Sequence, residues 1–563
     1  RPRRRDSKSV ALIQKRIGLL FALFLALLLI AGLRAFWLGT VQAGSLRNAA
    51  VTQQDQRVKV PARRGEIVDR RGVELAVTEP AEDVSATPYL IKDPNGVAKR
   101  IAPLLDKPVE EILEQLTRRD TGFVYLARRI PSRKARKVHA LNIEGLAFEP
   151  ANRRIYPREW LASQVLGTVG TDGKGLSGLE YAHEDLLHGE DGERHIIRDA
   201  LGEPISVRDP KPAKPGARLE LAIDAAIQDK AEEVLADVGV KFRPRGATAV
   251  VMDPRNGEVL ALANWPRVDA NDVGGAPGYA RLNRAVGVNY EPGSTFKAFT
   301  VAGALEDRKV TPDTMFSLPP QIQVADRTIG ESHPRGWATM STADILAQSS
   351  NVGAIVIGKD KLGAKRFDAW VRRFGFGRKT GVDLPGEETG QVLPLEKYSG
   401  SSMGNLPIGQ GISVTPMQMA SAYSAIANGG VLRPARVVRK VDGRPTAVPR
   451  GKRVISEKTA LALRIMLKGV FAPGGTASEA KVAGYELAGK TGTANKVEET
   501  TGEYSQERYI ASFVGFAPAE NPRLLVTVMV DEPHGAIYGG EVAAPAFQSI
   551  MQFALPYLRI PPE

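Results

Sequence analysis

The sequence predicts an α+β protein in three parts: an N-terminal transmembrane helix, a mixed domain, and a C-terminal domain whose mainly antiparallel sheet is packed by helices. Three observations support this prediction. Residues 17–41 form a long apolar run, a Pro/Lys-rich stretch occupies residues 209–216, and strand patterns stand at both ends of a helix-rich C-terminal segment. A length of 563 residues is suited to two or three domains.

The N-terminal apolar run is long enough to cross a bilayer. Ile17–Leu33 is uncharged, Arg34 interrupts it, and Ala35–Val41 is again mostly apolar. A helix of about twenty residues spans the hydrocarbon core. Because seven cations precede the run, we expect residues 1–16 to be a cytoplasmic basic tail, residues 17–41 a single-pass anchor in the bacterial cytoplasmic membrane, and the rest extracytoplasmic. The alternative is a signal peptide cleaved after Val41-Gln42-Ala43, which also exports the main body.

Composition and charge exclude several function classes. The chain has no cysteine, which rules out disulfides, thiolate metal sites and cysteine catalysis. The formal net charge of +13 is partly concentrated in the basic tail and otherwise dispersed, so we expect no nucleic-acid partner. His183 and His188 are five residues apart and do not share a helical face, and we expect neither a metal nor a cofactor.

Residues 45–215 form the predicted mixed domain. Val58–Gly72 is typical of a strand, a turn and a second strand, and residues 90–145 have helical periodicity, as in Val109–Thr117. Asp209–Gly216 contains three prolines and two lysines, which makes it the best linker candidate.

Residues 216–563 form the predicted α+β domain. Strand and helix patterns alternate at its start, and a hairpin followed by a helix stands at its end. The expected elements are strand Leu219–Ile223, helix Ala226–Asp237, strands Ala247–Met252 and Glu258–Ala263, strands Ile510–Ala517 and Leu524–Asp531, and helix Val542–Leu558.

The first chemical signal is Ser294-Thr295-Phe296-Lys297, which precedes the helical stretch Ala298–Leu305. Lys297 lies one helical turn after Ser294, on the same face. A serine hydroxyl becomes a nucleophile when a neighbouring base takes its proton, and a buried lysine of lowered pKa can be that base. The alternative is that Ser294 only caps the helix. Ser478-Glu479-Ala480-Lys481 has the same spacing but lacks the Pro-Gly lead into a helix.

The second signal is Ser349-Ser350-Asn351, after the helical stretch Thr342–Gln348. A hydroxyl at this place can relay a proton towards a leaving amine, and a carboxamide can hold a peptide backbone. The alternative is a polar helix end.

The third signal is Lys490-Thr491-Gly492-Thr493, on a strand expected to border a cleft. Lys490 can hold a carboxylate, Thr491 can donate a hydrogen bond to it, and Gly492 leaves room for close approach of a substrate. The similar Lys379-Thr380-Gly381 lies among glycines and proline, where a structural turn is expected.

The three signals occur in the order found in penicillin-binding proteins and serine β-lactamases, and the sequence resembles that superfamily. Further segments resemble class B penicillin-binding proteins, and the compact pedestal resembles that of the FtsI-type division branch. These segments are Arg64–Gly72, Arg153–Pro157, Gly178-Leu179-Glu180, Gly409-Gln410-Gly411 and Val414-Thr415-Pro416, with Arg71 standing where that family usually has Asn.

The resemblance implies an elongated pedestal domain at residues 45–215 and a D,D-transpeptidase domain at residues 216–563. It implies that Ser294 attacks the penultimate D-Ala carbonyl of a peptidoglycan stem peptide, and that the catalytic set is Ser294, Lys297, Ser349, Asn351 and Lys490. Thr491, Gly492 and Thr493 then bind substrate, and the backbone N–H groups of Ser294 and Thr493 form the oxyanion hole. β-Lactams would acylate Ser294.

The resemblance also implies partners: a SEDS-family glycan polymerase of the FtsW or RodA type and other membrane proteins of cell division. Alternatives stay open at this point. They are an elongation-type class B transpeptidase, a membrane β-lactam receptor without turnover, a serine β-lactamase and a D,D-carboxypeptidase.

Overall fold

The N-terminal segment is one long apolar helix. In the computed structural model, which describes residues 7–42, 55–198, 204–498, 500 and 502–562, helix α1 runs over Ser7–Thr40. Within the described residues it is the one helix long and apolar enough to cross a membrane, with a span at Leu12–Thr40 of mean hydropathy 2.5 and no burial. The predicted apolar helix is thus confirmed. Residues 1–6 of the predicted tail, and Ala43 of the alternative cleavage site, lie outside the described residues.

The remaining elements are numbered along the chain. The strands are β1 (Asp55–Val60), β2 (Ile67–Val68), β3 (Glu74–Ala86), β4 (Val124–Pro131), β5 (Leu146–Ile155), β6 (Gly192–Arg198), β7 (Pro204–Lys211), β8 (Leu219–Leu221), β9 (Gly246–Met252), β10 (Val259–Trp265), β11 (Met315–Leu318), β12 (Gln321–Val324), β13 (Arg327–Gly330), β14 (Ala338–Ser341), β15 (Val431–Leu432), β16 (Val438–Val441), β17 (Arg444–Pro445), β18 (Lys452–Arg453), β19 (Ala488–Val497), β20 (Tyr504–Ala517) and β21 (Leu524–Asp531).

The helices after α1 are α2 (Pro94–Leu105), α3 (Val109–Thr117), α4 (Ser132–His139), α5 (Ser163–Leu166), α6 (Gly178–Ala182), α7 (Glu184–Leu187), α8 (Ala225–Phe242), α9 (Gly278–Arg281), α10 (Arg284–Gly287), α11 (Lys297–Glu306), α12 (Thr342–Ala347), α13 (Asn351–Val356), α14 (Ala364–Arg373), α15 (Ser402–Asn405), α16 (Pro416–Ala427), α17 (Glu457–Lys468) and α18 (Gly539–Tyr557). Among the described residues, one π-helical segment lies at Ile357–Leu362. The 3₁₀ turns described there are Pro88–Leu90, Gly293–Phe296, Leu395–Lys397, Leu406–Ile408 and Gly469–Phe471.

The described residues fall into two compact units. One contains the chain up to Ala62 together with Glu190–Lys214, and the other contains Arg63–Gly189 and Pro215–Glu563. In the first unit, β1, β6 and β7 form an antiparallel sheet in that order. The expected linker at residues 209–216 is therefore wrong in part, because Asp209–Lys211 completes β7 and Lys214 bridges Glu190. Pairing with a partner strand overrides the local effect of proline at the end of a strand.

In the second unit, the mixed segment is built around the long strand β3. A sheet in the order β17-β16-β8-β2-β3-β4, with β5 also on β3, contains strands from both sides of the predicted boundary at residue 216. Helices α2, α3 and α4 pack an apolar cluster against it, and α3 has the predicted bounds. The helical periodicity assigned to residues 90–145 does not hold at β4, because Val124–Pro131 pairs with β3. Two adjacent arginines in β4 obscure the alternation by which a strand is recognised.

A buried ion-pair network joins three segments of the mixed domain that are distant in sequence. Arg64 Nε lies 2.5 Å from Glu180 Oε2, and Arg154 Nε lies 2.7 Å from Glu180 Oε1. Arg64 also pairs with Glu184 at 2.7 Å. Each of the three segments that resemble the family's pedestal therefore contributes one member of this network, and it fixes their mutual positions.

The turn that contains Arg71 accommodates this departure from the family pattern. Asp69 Oδ1 accepts from the backbone N–H groups of Arg71 and Val73 at 2.7 and 2.8 Å, and Gly72 has φ +88°. The Arg71 guanidinium lies 3.1 Å from Asp224 and over the ring of Tyr557. The glycine supplies the left-handed backbone that the turn requires.

The C-terminal part contains a five-stranded antiparallel sheet in the order β10-β9-β21-β20-β19. Helices α8 and α18 pack on one face, with Leu235, Val526 and Phe547 in the same apolar cluster. The other face packs against the helix-rich middle of the chain, where Met529 joins the cluster of Phe296. The side chains of successive residues in a strand point to opposite faces, so each strand contributes residues to both apolar clusters. The predicted α+β fold, with an antiparallel sheet packed by helices, is confirmed.

Candidate active site

The predicted nucleophile lies at the start of a buried helix. Ser294 is in the 3₁₀ turn Gly293–Phe296, which leads directly into α11. The buried Tyr423 hydroxyl donates to Thr295 O at 2.6 Å, which anchors this turn to α16. The segment is thus held by the core of the domain, as a preorganised nucleophile requires.

The glycine-rich segment Gly409–Gly411 is hydrogen-bonded to the turn that contains Ser294 and to the residues just before it. Gly293 N–H donates to Gly409 O at 3.0 Å, and Gly411 N–H donates to Glu291 Oε1 at 3.0 Å. Gly409 has φ +79°, and a Cβ there would lie 2.2 Å from Gly293 O. Only glycine fits so close to the nucleophile segment. The likeness of Gly409–Gly411 to the family is explained by this contact.

Lys297 is fully buried at the first position of α11 and contacts the second motif. Its Nζ donates to Ser349 O at 2.6 Å, to Asn351 Oδ1 at 2.7 Å and to Ser349 Oγ at 3.2 Å. Burial lowers the pKa of Lys297 to about 7, while the Glu331 carboxylate acts in the opposite direction. The uncharged amine, which can accept a proton, is therefore accessible near neutral pH.

The second motif is held in an unusual backbone conformation. Ser349 has φ +63°, a left-handed value that residues with a side chain seldom adopt. Ser350 caps α13 by accepting from Gly353 N–H at 3.0 Å. Asn351 donates from Nδ2 to Gly330 O at 2.9 Å, which leaves its Oδ1 to face Lys297.

Sequence reasoning missed Glu331, which follows β13. Its carboxylate accepts from the Ser350 hydroxyl at 2.6 Å and from the backbone N–H of Asn351, and it pairs with Arg335. The acid–base pair four residues apart is visible in the sequence, but such pairs are common on surfaces. Its contact with Ser350, across nineteen residues, follows from the fold alone.

The third motif lies on β19, at the edge of the sheet. Lys490 is fully buried, and burial, then the nearby Lys297, lowers its pKa well below the ordinary value. Thr491 Oγ1 is 2.7 Å from Thr476 Oγ1, and Thr493 Oγ1 accepts from Gly539 N–H at 3.1 Å. The edge position leaves one side of the strand available to an extended peptide.

Gly492 is required by packing within the protein. A Cβ at this position would lie 2.4 Å from Ser512 Oγ, 2.8 Å from Pro292 O and 2.9 Å from Thr295 Cγ2. A Cβ at Gly293, whose φ is +53°, would lie 2.7 Å from Thr493 O. Two glycines therefore let β19 and the nucleophile segment come into direct contact, a reason that differs from the predicted room for a substrate.

The structure brings the three predicted segments together. Lys297 touches Ser349 and Asn351, Lys297 acts electrostatically on Lys490, and Gly293 abuts Thr493. The two other sequence matches lie in a turn and a loop, and neither stands at a helix start or on β19. Ser478 is in a turn rather than at a helix start, and Thr380 donates to Glu387 in a loop, as predicted for Lys379–Gly381.

Comparisons with known proteins agree with this geometry. The family model described as "Penicillin binding protein transpeptidase domain" matches residues 247–552, and that described as "Penicillin-binding Protein dimerisation domain" matches residues 59–221. The chain belongs to the class B penicillin-binding proteins. This penicillin-binding protein is a D,D-transpeptidase of the serine acyltransferase type, as predicted.

The relatives match nearly the whole chain. Stage V sporulation protein D of Bacillus subtilis is 35% identical over 98% of this chain and 87% of its own length. Peptidoglycan D,D-transpeptidase FtsI of Escherichia coli is 31% identical over 100% of this chain and 95% of its own length. Among solved structures, penicillin binding protein 3 from Mycobacterium tuberculosis, complexed with aztreonam, is 32% identical with a TM-score of 0.71, over 90% of this chain and 98% of that one.

Proposed function

We propose that this penicillin-binding protein crosslinks peptidoglycan stem peptides through an acyl-enzyme on Ser294, during septal cell-wall synthesis beside a SEDS-family polymerase. The observation that carries the chemical part is the buried Lys297 amine, which has oxygen neighbours in the second motif and lies one helical turn after Ser294. A buried amine of lowered pKa is suited to take the proton of a serine hydroxyl.

The first half-reaction forms the ester. Lys297 takes the Ser294 hydroxyl proton as Oγ attacks the penultimate D-Ala carbonyl, whose oxygen becomes an oxyanion near the backbone N–H groups of Ser294 and Thr493. The C–N bond then breaks, and terminal D-Ala leaves after its nitrogen takes a proton that passes from Lys297 through the Ser349 hydroxyl. Ser349 Oγ lies 3.2 Å from Lys297 Nζ, within reach for this relay.

The second half-reaction forms the crosslink. An amine of a second stem peptide attacks the ester carbonyl, gives up a proton to the Lys297 amine, and becomes an amide nitrogen. The Ser294–carbonyl bond breaks, and Ser294 Oγ recovers its proton from Lys297. With a β-lactam the broken amide nitrogen stays tethered to the acyl group, so the ester persists and labels the protein.

The donor strand of the substrate is expected to lie along β19. Lys490 and Thr491 would hold its terminal carboxylate, because an amine and a hydroxyl both donate to an anion, and an anion beside Lys490 favours the ammonium form against the effect of burial. The Asn351 carboxamide would hold the peptide backbone from the opposite wall, and the edge of β19 would pair with it in the manner of an added strand.

Fluorescent-penicillin labelling of the purified protein tests the nucleophile. We expect the Ser294→Ala variant to lose labelling and the matched Ser478→Ala variant to keep it, since Ser478 lies in a turn and the lysine three residues after it, Lys481, is exposed rather than buried. Labelled Ser294→Ala protein would reject the assignment. Incubation with donor and acceptor stem peptides separates a transpeptidase from a receptor, because only the former releases D-Ala and forms dimers.

We also propose that residues 1–16 are cytoplasmic and that the domains after α1 are extracytoplasmic, supported by the basic residues before the apolar span. The chain lacks cysteine, so single-cysteine variants give a clean test. A membrane-impermeant maleimide should label Val448→Cys, at an exposed side chain, in spheroplasts, and Ser7→Cys only after permeabilisation. The reverse pattern would overturn the orientation.

The septal role is supported by the match to FtsI over the full chain. A role in sporulation is the competing assignment, favoured by the 35% identity to stage V sporulation protein D. A fluorescent fusion should concentrate at the division septum and co-purify with an FtsW-type polymerase. A sidewall pattern with a RodA-type polymerase would indicate a role in elongation. Fluorescence restricted to sporulating cells would indicate a role in sporulation.

A further inference from the structure

Glu331 accepts hydrogen bonds from two residues of the second motif, Ser349–Asn351. Its side chain is only 6% exposed, and its two carboxylate oxygens accept from neighbouring residues of that motif. Oε1 accepts from Ser350 Oγ at 2.6 Å, and Oε2 accepts from the backbone N–H of Asn351. The preceding residue, Gly330, accepts from Asn351 Nδ2 at 2.9 Å, so the end of β13 holds the motif at a third point.

The conformation that these contacts hold is one the backbone does not favour by itself. Ser349 adopts φ +63°, and such residues persist where their surroundings fix them. In this conformation Ser349 O and Asn351 Oδ1 lie 2.6 and 2.7 Å from Lys297 Nζ. These two oxygens, and the Ser349 hydroxyl at 3.2 Å, all belong to a segment that Glu331 anchors.

Glu331 also places a carboxylate in a site that contains two buried lysines, Lys297 and Lys490. Lys490, on β19, is near enough for Lys297 to lower its pKa, and Arg335 pairs with Glu331 from the loop after β13. Within the described residues, Glu331 is the carboxylate that acts on the Lys297 ammonium, which it favours. Its position thus bears on both the geometry and the charge of Lys297.

We propose that Glu331 is a positioning residue for acyl transfer: its carboxylate holds Ser349–Asn351 so that two oxygens face the Lys297 amine. The inference rests on the proposed function, since it takes Lys297 as the base for Ser294. Glu331 acts through the second motif and does not touch the substrate.

The test measures the second-order rate constant of acylation by a fluorescent penicillin, from about pH 5 to about pH 10, for the full chain in detergent. We expect Glu331→Gln to acylate at least tenfold more slowly, on the order of the loss when a base is misplaced. The pH midpoint should move down by about one unit, because losing a nearby carboxylate favours the uncharged lysine. Glu331→Asp keeps the charge and should keep the midpoint while acylating at an intermediate rate.

Glu306→Gln is the matched control. Glu306 accepts from Ser456 N–H at 3.0 Å and from Ser456 Oγ at 2.8 Å at the start of α17, the same kind of contact at another helix. We expect this variant to keep the wild-type rate and midpoint. Equal losses of rate in Glu306→Gln and Glu331→Gln would overturn the proposal, and so would a wild-type rate and midpoint in Glu331→Gln.

The acylation rate of Glu331→Asp tests the proposal if the first variant fails to fold, and the labelling of Ser294→Ala tests the proposed function. If Glu331→Gln does not fold, Glu331→Asp replaces it, because its shorter side chain reaches only one of the two donors. A reduced rate then supports the proposal, and a wild-type rate overturns it. Labelled Ser294→Ala protein would instead reject the proposed function, so the two failures are distinguishable.

Discussion

The Lys297 amine lies 2.7 Å from the Asn351 side-chain oxygen, although 54 residues separate the two along the chain. This contact joins the first motif to the second. A second oxygen, the carbonyl of Ser349, lies 2.6 Å from the same nitrogen. The hydrogen bonds to these two uncharged oxygens fix the position of the amine. Neither oxygen carries a negative charge that would stabilise the ammonium, and burial lowers the pKa of Lys297. The arrangement favours a lysine that acts as a base.

Replacing Lys297 by methionine should remove acylation with little change of shape. Methionine has nearly the length of lysine without the amine, so the fully buried site stays filled. We expect the acylation rate constant to fall at least 100-fold, on the order of the contribution of a general base. Lys440→Met, which removes a partly exposed pair with Glu220, is the control and should acylate at the wild-type rate. Normal acylation by Lys297→Met would contradict the assigned role.

Acylation by the wild-type protein should depend on pH through Lys297. Burial lowers the pKa of this lysine to about 7, and the reactive form is the uncharged amine. The rate constant is therefore expected to fall as pH drops below about 7 and to level off above it. Stopped-flow measurements with a chromogenic β-lactam check this. A midpoint near the ordinary lysine value of 10.5 would argue against the burial effect.

Gly492→Ala should separate β19 from the nucleophile segment. The added methyl group would meet Ser512 Oγ at 2.4 Å and Pro292 O at 2.8 Å, and the latter is backbone that cannot rotate away. We expect the free energy of unfolding to fall by about 1–3 kcal/mol, with slower acylation. Gly275→Ala, where a Cβ has no neighbour within 4 Å, should change neither quantity. Denaturant titration and penicillin labelling measure both, and wild-type values for Gly492→Ala would refute the packing argument.

Glu180→Gln should destabilise the mixed domain. The substitution leaves the guanidinium groups of Arg64 and Arg154, 6% and 5% exposed, without the shared carboxylate. Removing one member of a buried ion pair costs about 3–5 kcal/mol, and we expect the unfolding free energy to fall by that order. Glu190→Gln removes an exposed pair with Lys214 and should cost less than about 1 kcal/mol. Similar losses in the two variants would mean that the network adds no more than a surface pair.

Short-range pattern was sufficient for many elements. Strand Leu524–Asp531 and helix Val109–Thr117 have the predicted bounds, because their apolar spacing matches the period of the element. Helix α8 runs past its predicted end at Asp237 to Phe242, where Arg243 adopts a left-handed backbone. Ends of this kind depend on local capping geometry, which periodicity does not encode.

The sequence by itself determined the N-terminal apolar helix, the α+β class and the three motifs, since each depends on residue types at short spacings. Only the tertiary structure decided that Glu331 reaches Ser350, that Gly492 lies against Pro292, and that Pro204–Lys211 is a strand. Those facts are contacts between segments far apart in the chain, and the free energy of such contacts depends on which surfaces the fold brings together.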